Sequence, residues 1–229
     1  MTHKITLNKC FRAVDDIDFS KDSKLMISGG GYKDLTELIL WDVESGKMIK
    51  KFNGHTEPVT SVSFSSLNNQ FASASNFIGR SKIMIWDYKN LKRVKVLKGN
   101  KYGVRQIVYD KKQSYLVSVG GSGLFERKSE ILKWDTKNGK IIQKFEGSEY
   151  SVLCVAISDD SKYMVTGGGL YDKAELILWD YKTGKIIKRL DGHIDMIGAV
   201  SFSYTPYPKK IISSGYDRRI IEWDLENII

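Results

Sequence analysis

The sequence predicts an all-β fold made of five copies of one four-stranded unit, set in a ring. Three observations carry this. The hexapeptide ELILWD occurs at 37–42 and again at 175–180. All five Trp stand in a Trp-Asp dipeptide, at 41, 86, 134, 179 and 223, so successive steps are 45, 48, 45 and 44 residues. Repetition at such a step marks a supersecondary unit stacked on copies of itself. Period-2 apolar alternation, as in VTSVSFS at 59–65, then identifies the elements of the unit as strands.

The first strand of the unit is that alternating segment, with Val62 and Phe64 on one face. The second is KLMIS at 24–28, with equivalents QFASAS, SYLVS, KYMVT and KKIIS. The third ends in Trp-Asp. A turn such as VESGK or YKTGK follows, with Gly where positive φ is needed. The fourth strand ends on an apolar residue eleven places after each Trp: Phe52, Leu97, Phe145 and Leu190.

After Trp223 the chain ends too soon for a fourth strand, at Ile229. One repeat length back from Phe52 lies Leu7, so KITL at the N-terminus is expected to supply that strand and close the ring. Strict register puts Lys4 where the other units have Ile49, Val94, Ile142 and Ile187, which implies a slip of one residue there.

The 229 residues can bury one sizeable core. Hydrophobic residues at 41% and charged residues at 28% are ordinary for a globular chain. Only three Pro and no Gly/Ser-rich linker interrupt it, so residues 1–229 are expected to form a single domain with repeat ends at 42, 87, 135, 180 and 224. The net charge of +9 is spread out, with no run that would act as a tail. MTHKITLNKC has no apolar segment of a secretory signal, and no apolar run could span a membrane. Cys10 and Cys154 stand apart, with no metal-ligand spacing around them. A cytoplasmic protein without metal or cofactor is the expectation.

The Trp-Asp endings, the Gly-His pairs at 54–55 and 192–193 and the repeat length resemble the WD-repeat family of β-propellers, over essentially the whole chain. The resemblance implies a β-propeller of five four-stranded blades, its ring closed by the N-terminal strand pairing with the C-terminal blade. It also implies a hydrogen-bonded His, Ser, Asp and Trp set inside a blade. Only the last repeat carries all four, as His193, Ser213, Asp217 and Trp223. His55, Ser73 and Trp86 lack the Asp, and Cys10, Asn100 and Ser148 stand where a His belongs. These sets brace blades, so their loss bears on rigidity, and the two His are structural rather than catalytic. The family most often has seven blades and this chain has five. Repeats 1 and 2 pair best with 4 and 5, as if a three-repeat module had been copied and one unit lost. A closed five-bladed monomer is expected; an open or oligomeric assembly is the rival.

Loop lengths point to one face. From the second-strand Ser or Thr to the Trp, the last repeat uses 10 steps and the others 13, 13, 16 and 13. The longer connections are GGGYKDLT, ASNFIGRS, VGGSGLFERKS and GGGLYDKA, all expected at one end of the blades, where insertions in repeat proteins often mark the binding side. Each carries an aromatic residue followed closely by a base: Tyr32 and Lys33, Phe77 and Arg80, Phe125 and Arg127, Tyr171 and Lys173. In the last repeat Tyr216 and Arg218 take these places. Aromatic and Arg side chains dominate interface hot spots. The plain alternative is that the rings pack their own loops and the bases are solvated.

Several functions compete. A scaffold that binds a protein or peptide ranks first. Aromatics interleaved with bases also suit an anionic ligand such as single-stranded nucleic acid. A glycosidase needs a carboxylate pair, but Asp15, Asp16, Asp18, Asp159 and Asp160 sit in contexts that read as surface turns. A lectin-like propeller needs near-identical pockets, and these loops differ too much. GGG at 29–31 and 167–169 is not a phosphate loop, because no helix or Lys-Ser/Thr follows.

Overall fold

A computed structural model describes residues 13–32, 35–77, 79, 81–122, 128–203 and 209–228. Its strands form five antiparallel sheets that follow one another along the chain. The first blade is β1 (Val14–Phe19), β2 (Leu25–Tyr32), β3 (Leu35–Asp42) and β4 (Met48–Lys51). The second is β5 (Val59–Phe64), β6 (Gln70–Ser75), β7 (Ile83–Asp87) and β8 (Lys92–Leu97). β9 (Gly103–Tyr109), β10 (Tyr115–Gly121), β11 (Ser129–Asp135) and β12 (Lys140–Lys144) make the third. The fourth contains β13 (Val152–Ile157), β14 (Tyr163–Leu170), β15 (Lys173–Asp180) and β16 (Ile186–Arg189). In the fifth, β17 (Ile197–Phe202), β18 (Lys210–Gly215) and β19 (Ile220–Asp224) are described, followed by a 3-10 turn at Leu225–Asn227. Every Trp-Asp closes a third strand, and both copies of ELILWD lie in that strand of their blades.

The Trp and the Asp do different work. Each indole N–H donates to the second-strand Ser or Thr of its own blade: Trp41 to Ser28, Trp86 to Ser73, Trp134 to Ser118, Trp179 to Thr166 and Trp223 to Ser213, at 2.8–2.9 Å. A buried indole N–H without an acceptor would be costly, so this polar residue accompanies the Trp. The Asp carboxylate instead receives backbone N–H groups of the next turn, from Ser45, Asn90, Lys137 and Thr183. The Ser45 hydroxyl and then its N–H hold Asp42 below the usual carboxylate range, and backbone bonds first do the same for Asp87 and Asp180.

The core lies between blades. Each first strand packs on the next, β1 on β5, β5 on β9, β9 on β13 and β13 on β17. Four apolar clusters fill the four seams. In the first seam Ile27, Leu38, Leu40 and Phe52 of one blade meet Val59, Val62, Phe64 and Phe71 of the next. The last brings Val165, Leu176 and Leu178 against Ile197, Phe202 and Ile211.

Two of the connections expected to be long loops are strand. In blade 1 the β2–β3 ladder runs on through Gly29↔Leu38, Gly30↔Glu37 and Gly31↔Thr36 to Tyr32↔Leu35. In blade 4 it runs through the second GGG to Leu170↔Lys173, leaving only Tyr171 and Asp172 at the tip. The glycines are there because neighbours press on them. A Cβ on Gly29 would sit 2.6 Å from Val59 Cγ1, and one on Gly167 would sit 2.6 Å from Ile197 Cγ2. Both contacts come from the following blade.

The N-terminal strand, with Lys4, Leu7 and Cys10, lies outside the described residues, and with it the expected closure of the ring. No helix among the described residues is long and apolar enough to cross a membrane.

Candidate interaction face

The hairpins between second and third strands share one end of the blades with the connections between blades. Thr36 Oγ1, beside the first tip, donates to the carbonyl of His55 at 3.3 Å, and Tyr216 N–H donates to Met196 at 2.8 Å. Tyr32, at the end of β2, Phe77, after β6, Tyr171, at its hairpin tip, and Tyr216, in the last turn, are all exposed there, between 48% and 64%.

The local backbone explains these positions. The Phe77 carbonyl accepts from Ser81 N–H and Oγ, both at 2.8 Å, which closes that loop and leaves the ring outside. Asp172 takes a left-handed φ of 59°, which a short polar side chain tolerates and which lets two residues turn the chain beside Tyr171. Arg218, with φ 65°, turns the last hairpin, where its N–H donates to Gly215 at 3.1 Å. Lys173 opens β15 and is exposed next to Tyr171, and Arg218 is likewise exposed two residues from Tyr216. Lys33, Arg80, Phe125 and Arg127 lie outside the described residues. Among the described residues, the tips of blades 4 and 5 each carry an exposed aromatic residue and an exposed base two positions on. Sequence reading missed two exposed apolar residues at this end: Leu35, paired with Tyr32, and Ile194, directly after the second Gly-His. An apolar residue at a polar turn position was the available signal.

Beneath the tips, two kinds of polar clamp fix the connections between blades. In blade 5 His193 Nδ1 lies 2.8 Å from Asp217 Oδ2, and His193 Nε2 lies 2.9 Å from Ser213 Oγ. A carboxylate can only accept, so Nδ1 carries the proton toward it. Trp223 donates to Ser213, and Ser213 is left to donate to Nε2. Burial works against the Asp217 charge, but bonds from His193, Ile194 N–H and Arg219 N–H outweigh it and hold the carboxyl below its ordinary range. In blade 2 the Asp is missing. His55 Nε2 still reaches Ser73 Oγ at 2.7 Å, but Nδ1 is buried without a bond. Burial first, then Lys82 and Arg93, push the His55 pKa down to about 4.

Blades 3 and 4 have no His here, and a Glu four residues before the Trp replaces it. Glu130 Oε2 accepts the Lys101 N–H at 3.0 Å and the Asn100 amide at 3.5 Å. Glu175 accepts Ser148 Oγ and the Glu149 N–H, and is paired with Arg189 at 2.7 Å. Blades 2 and 5, which have the His, carry Lys82 and Arg219 at that position. The repeats without His are thus rebuilt. Glu37, the first residue of ELILWD in blade 1, is buried and pairs with Lys51 at 3.1 Å.

Among the described residues no group of three or more His, Cys, Asp or Glu could hold a metal ion. Of the Asp weighed as candidate acids, Asp16 and Asp18 bond to blade 2 rather than to each other. Asp159 pairs with Lys111 at 2.6 Å.

Stacked antiparallel blades, each with an indole fixed to its second strand and, in blades 2 to 5, a polar clamp on the connection that enters the blade, define a β-blade repeat protein. The family model for the WD domain, G-beta repeat, matches residues 46–87, 139–180 and 184–224, together more than half of the chain. The chain belongs to the WD40 repeat family. A search of curated proteins found no match.

Proposed function

We propose that this chain is a non-catalytic scaffold whose protein or peptide partner docks on the end of the blades that carries the hairpin tips. WD40 repeats generally mediate protein–protein interaction. The observation that carries the choice of face is the exposure of Tyr32, Phe77, Tyr171 and Tyr216 at equivalent places of four blades. Large rings held on short turns offer contact area at low ordering cost, because the blades have already fixed the backbone. Lys173 and Arg218 beside two of the rings favour an acidic partner segment. A cytoplasmic setting suits the buried free thiol of Cys154, which burial pushes up to about 12.

The test is affinity capture from native lysate, with and without nuclease. Wild type is compared with an Arg80→Glu, Arg127→Glu, Arg218→Glu variant and a Tyr171→Ala, Tyr216→Ala variant, each checked for folding. A protein retained by wild type and lost from both variants is the expected result. Loss on nuclease treatment transfers the reading to single-stranded nucleic acid. Equal capture by all three removes this face from consideration.

A further inference from the structure

Each internal seam of the molecule has a leading half and a trailing half. The leading half is three apolar side chains on a first strand. In blade 2 these are Val59, Val62 and Phe64, 0%, 3% and 7% exposed against blade 1. The trailing half is supplied by the second and third strands of the preceding blade, where Leu38 is 2% exposed. The same positions at the two ends of the chain are uncovered. Val14, Ile17 and Phe19 of β1 are 48%, 51% and 46% exposed, and Ile220, which stands where Leu38 does, is 78% exposed. Burying side chains of this kind is favourable, so leaving four of them in water is a substantial forfeit.

The backbone carries the same asymmetry. Across the seams a first-strand side chain accepts an N–H from the next first strand: Asp18 from Phe64 at 2.6 Å, Ser63 from Tyr109 at 3.1 Å, Gln106 from Val155 at 2.7 Å. At the leading end Ile17 and Phe19 N–H turn back to Oδ1 of Asp16 and Asp18, at 2.9 and 2.8 Å. At the trailing end Ser201 occupies the place of Ser63, and its hydroxyl donates to the adjacent Phe202 carbonyl at 3.2 Å. One end holds the donor and the other the acceptor of an unmade seam.

We propose that the chain associates with a second copy of itself head to tail, the trailing face of blade 5 docking on the leading face of blade 1. Ile220 then covers Val14 and Ile17 as Leu38 covers Val59 and Val62, and Ser201 Oγ accepts the Phe19 N–H as Ser63 accepts that of Tyr109. A second copy is the occupant because the chain itself carries both halves of the contact, with the chemistry it already uses between its blades. The contact is heterologous, so each half can be blocked without touching the other.

Sedimentation velocity over a concentration series tests this. Wild type is expected at a multiple of the 26.1 kDa chain mass. Ile17→Asp blocks the leading face and Ile220→Asp the trailing face; both sites are exposed, so both variants are expected to melt like wild type and to run as single chains. Mixed in equal amounts, they retain one intact pair of faces and are expected to form a two-chain species. Wild type at 26.1 kDa throughout overturns the proposal. So does a larger species that survives both substitutions, or a mixture that stays single-chain. The measurement is independent of the hairpin-tip face, so its failure leaves the scaffold reading standing.

Discussion

Asp16 in the first blade accepts the backbone N–H of Val62 in the second, at 2.8 Å through Oδ2, while the same oxygen takes Ser61 Oγ at 2.8 Å and Oδ1 takes Ile17 N–H at 2.9 Å. One carboxylate thus joins two blades and closes the exposed backbone of β1. Asp16→Ala leaves the Val62 and Ser61 groups without this acceptor inside the seam. A loss of about 1–3 kcal/mol is expected in denaturant unfolding. Asp16→Asn keeps one acceptor oxygen and is expected to lose less. No change in the Ala variant would show that the bond contributes nothing to the seam.

The His55 imidazole gives acid stability a defined sign. Its folded pKa of about 4 lies below the unfolded value of 6.5, so the unfolded chain takes the proton first. Stability is lost as pH falls from about 6.5 to 4, by roughly 3 kcal/mol at this group. His55→Gln is expected to flatten the pH dependence over that window when melts are compared with wild type. Asp16 and Asp18 act in the opposite sense. Desolvation raises them, so acidification through their range favours the folded chain.

Glu175 should matter to rigidity more than its surface ion pair suggests. Arg189 is half-exposed and also donates to the Gly147 carbonyl, but it is the largely buried Glu175 carboxylate whose bonds to the Ser148–Glu149 connection stand in for a missing His clamp. Glu175→Ala is expected to raise amide exchange at Glu149 by tenfold or more, and Arg189→Ala to change it much less. Equal effects would assign the clamp to the ion pair.

Gly29→Ala and Gly167→Ala each push a methyl into side chains of the following blade. Overpacking of about 1–3 kcal/mol is expected, read as a lowered melting temperature. Pairing Gly29→Ala with Val59→Ala, which opens room at the clash, should recover part of the loss in a double-mutant cycle. Strict additivity would argue that the two sites do not press on each other.

Much of the architecture was legible in the chain because Trp-Asp is a local mark at a fixed period. Each dipeptide ends a third strand, and the second strands begin where short apolar runs place them. The sequence reading went astray at GGG, taken for loop because glycine ordinarily punctuates a strand. The first glycine of each run, Gly29 or Gly167, answers to Val59 or Ile197, a residue of the neighbouring blade that no local window contains. The Glu130 and Glu175 clamps escaped for the same reason, since each carboxylate reaches back to a connection in the preceding part of the repeat.

By itself the sequence determined the number of repeats, the strand order within each and the aromatic content of the tips, since all of these follow from residue type and spacing along one blade. Only the tertiary structure decided which turns are strand, how repeats without His are held, and that β1 and β19 present uncovered apolar residues at opposite ends. Those are properties of contacts between segments distant along the chain, within a blade and between blades. The contacts between blades depend on how far one sheet is turned from the next, and that angle is written in no single repeat.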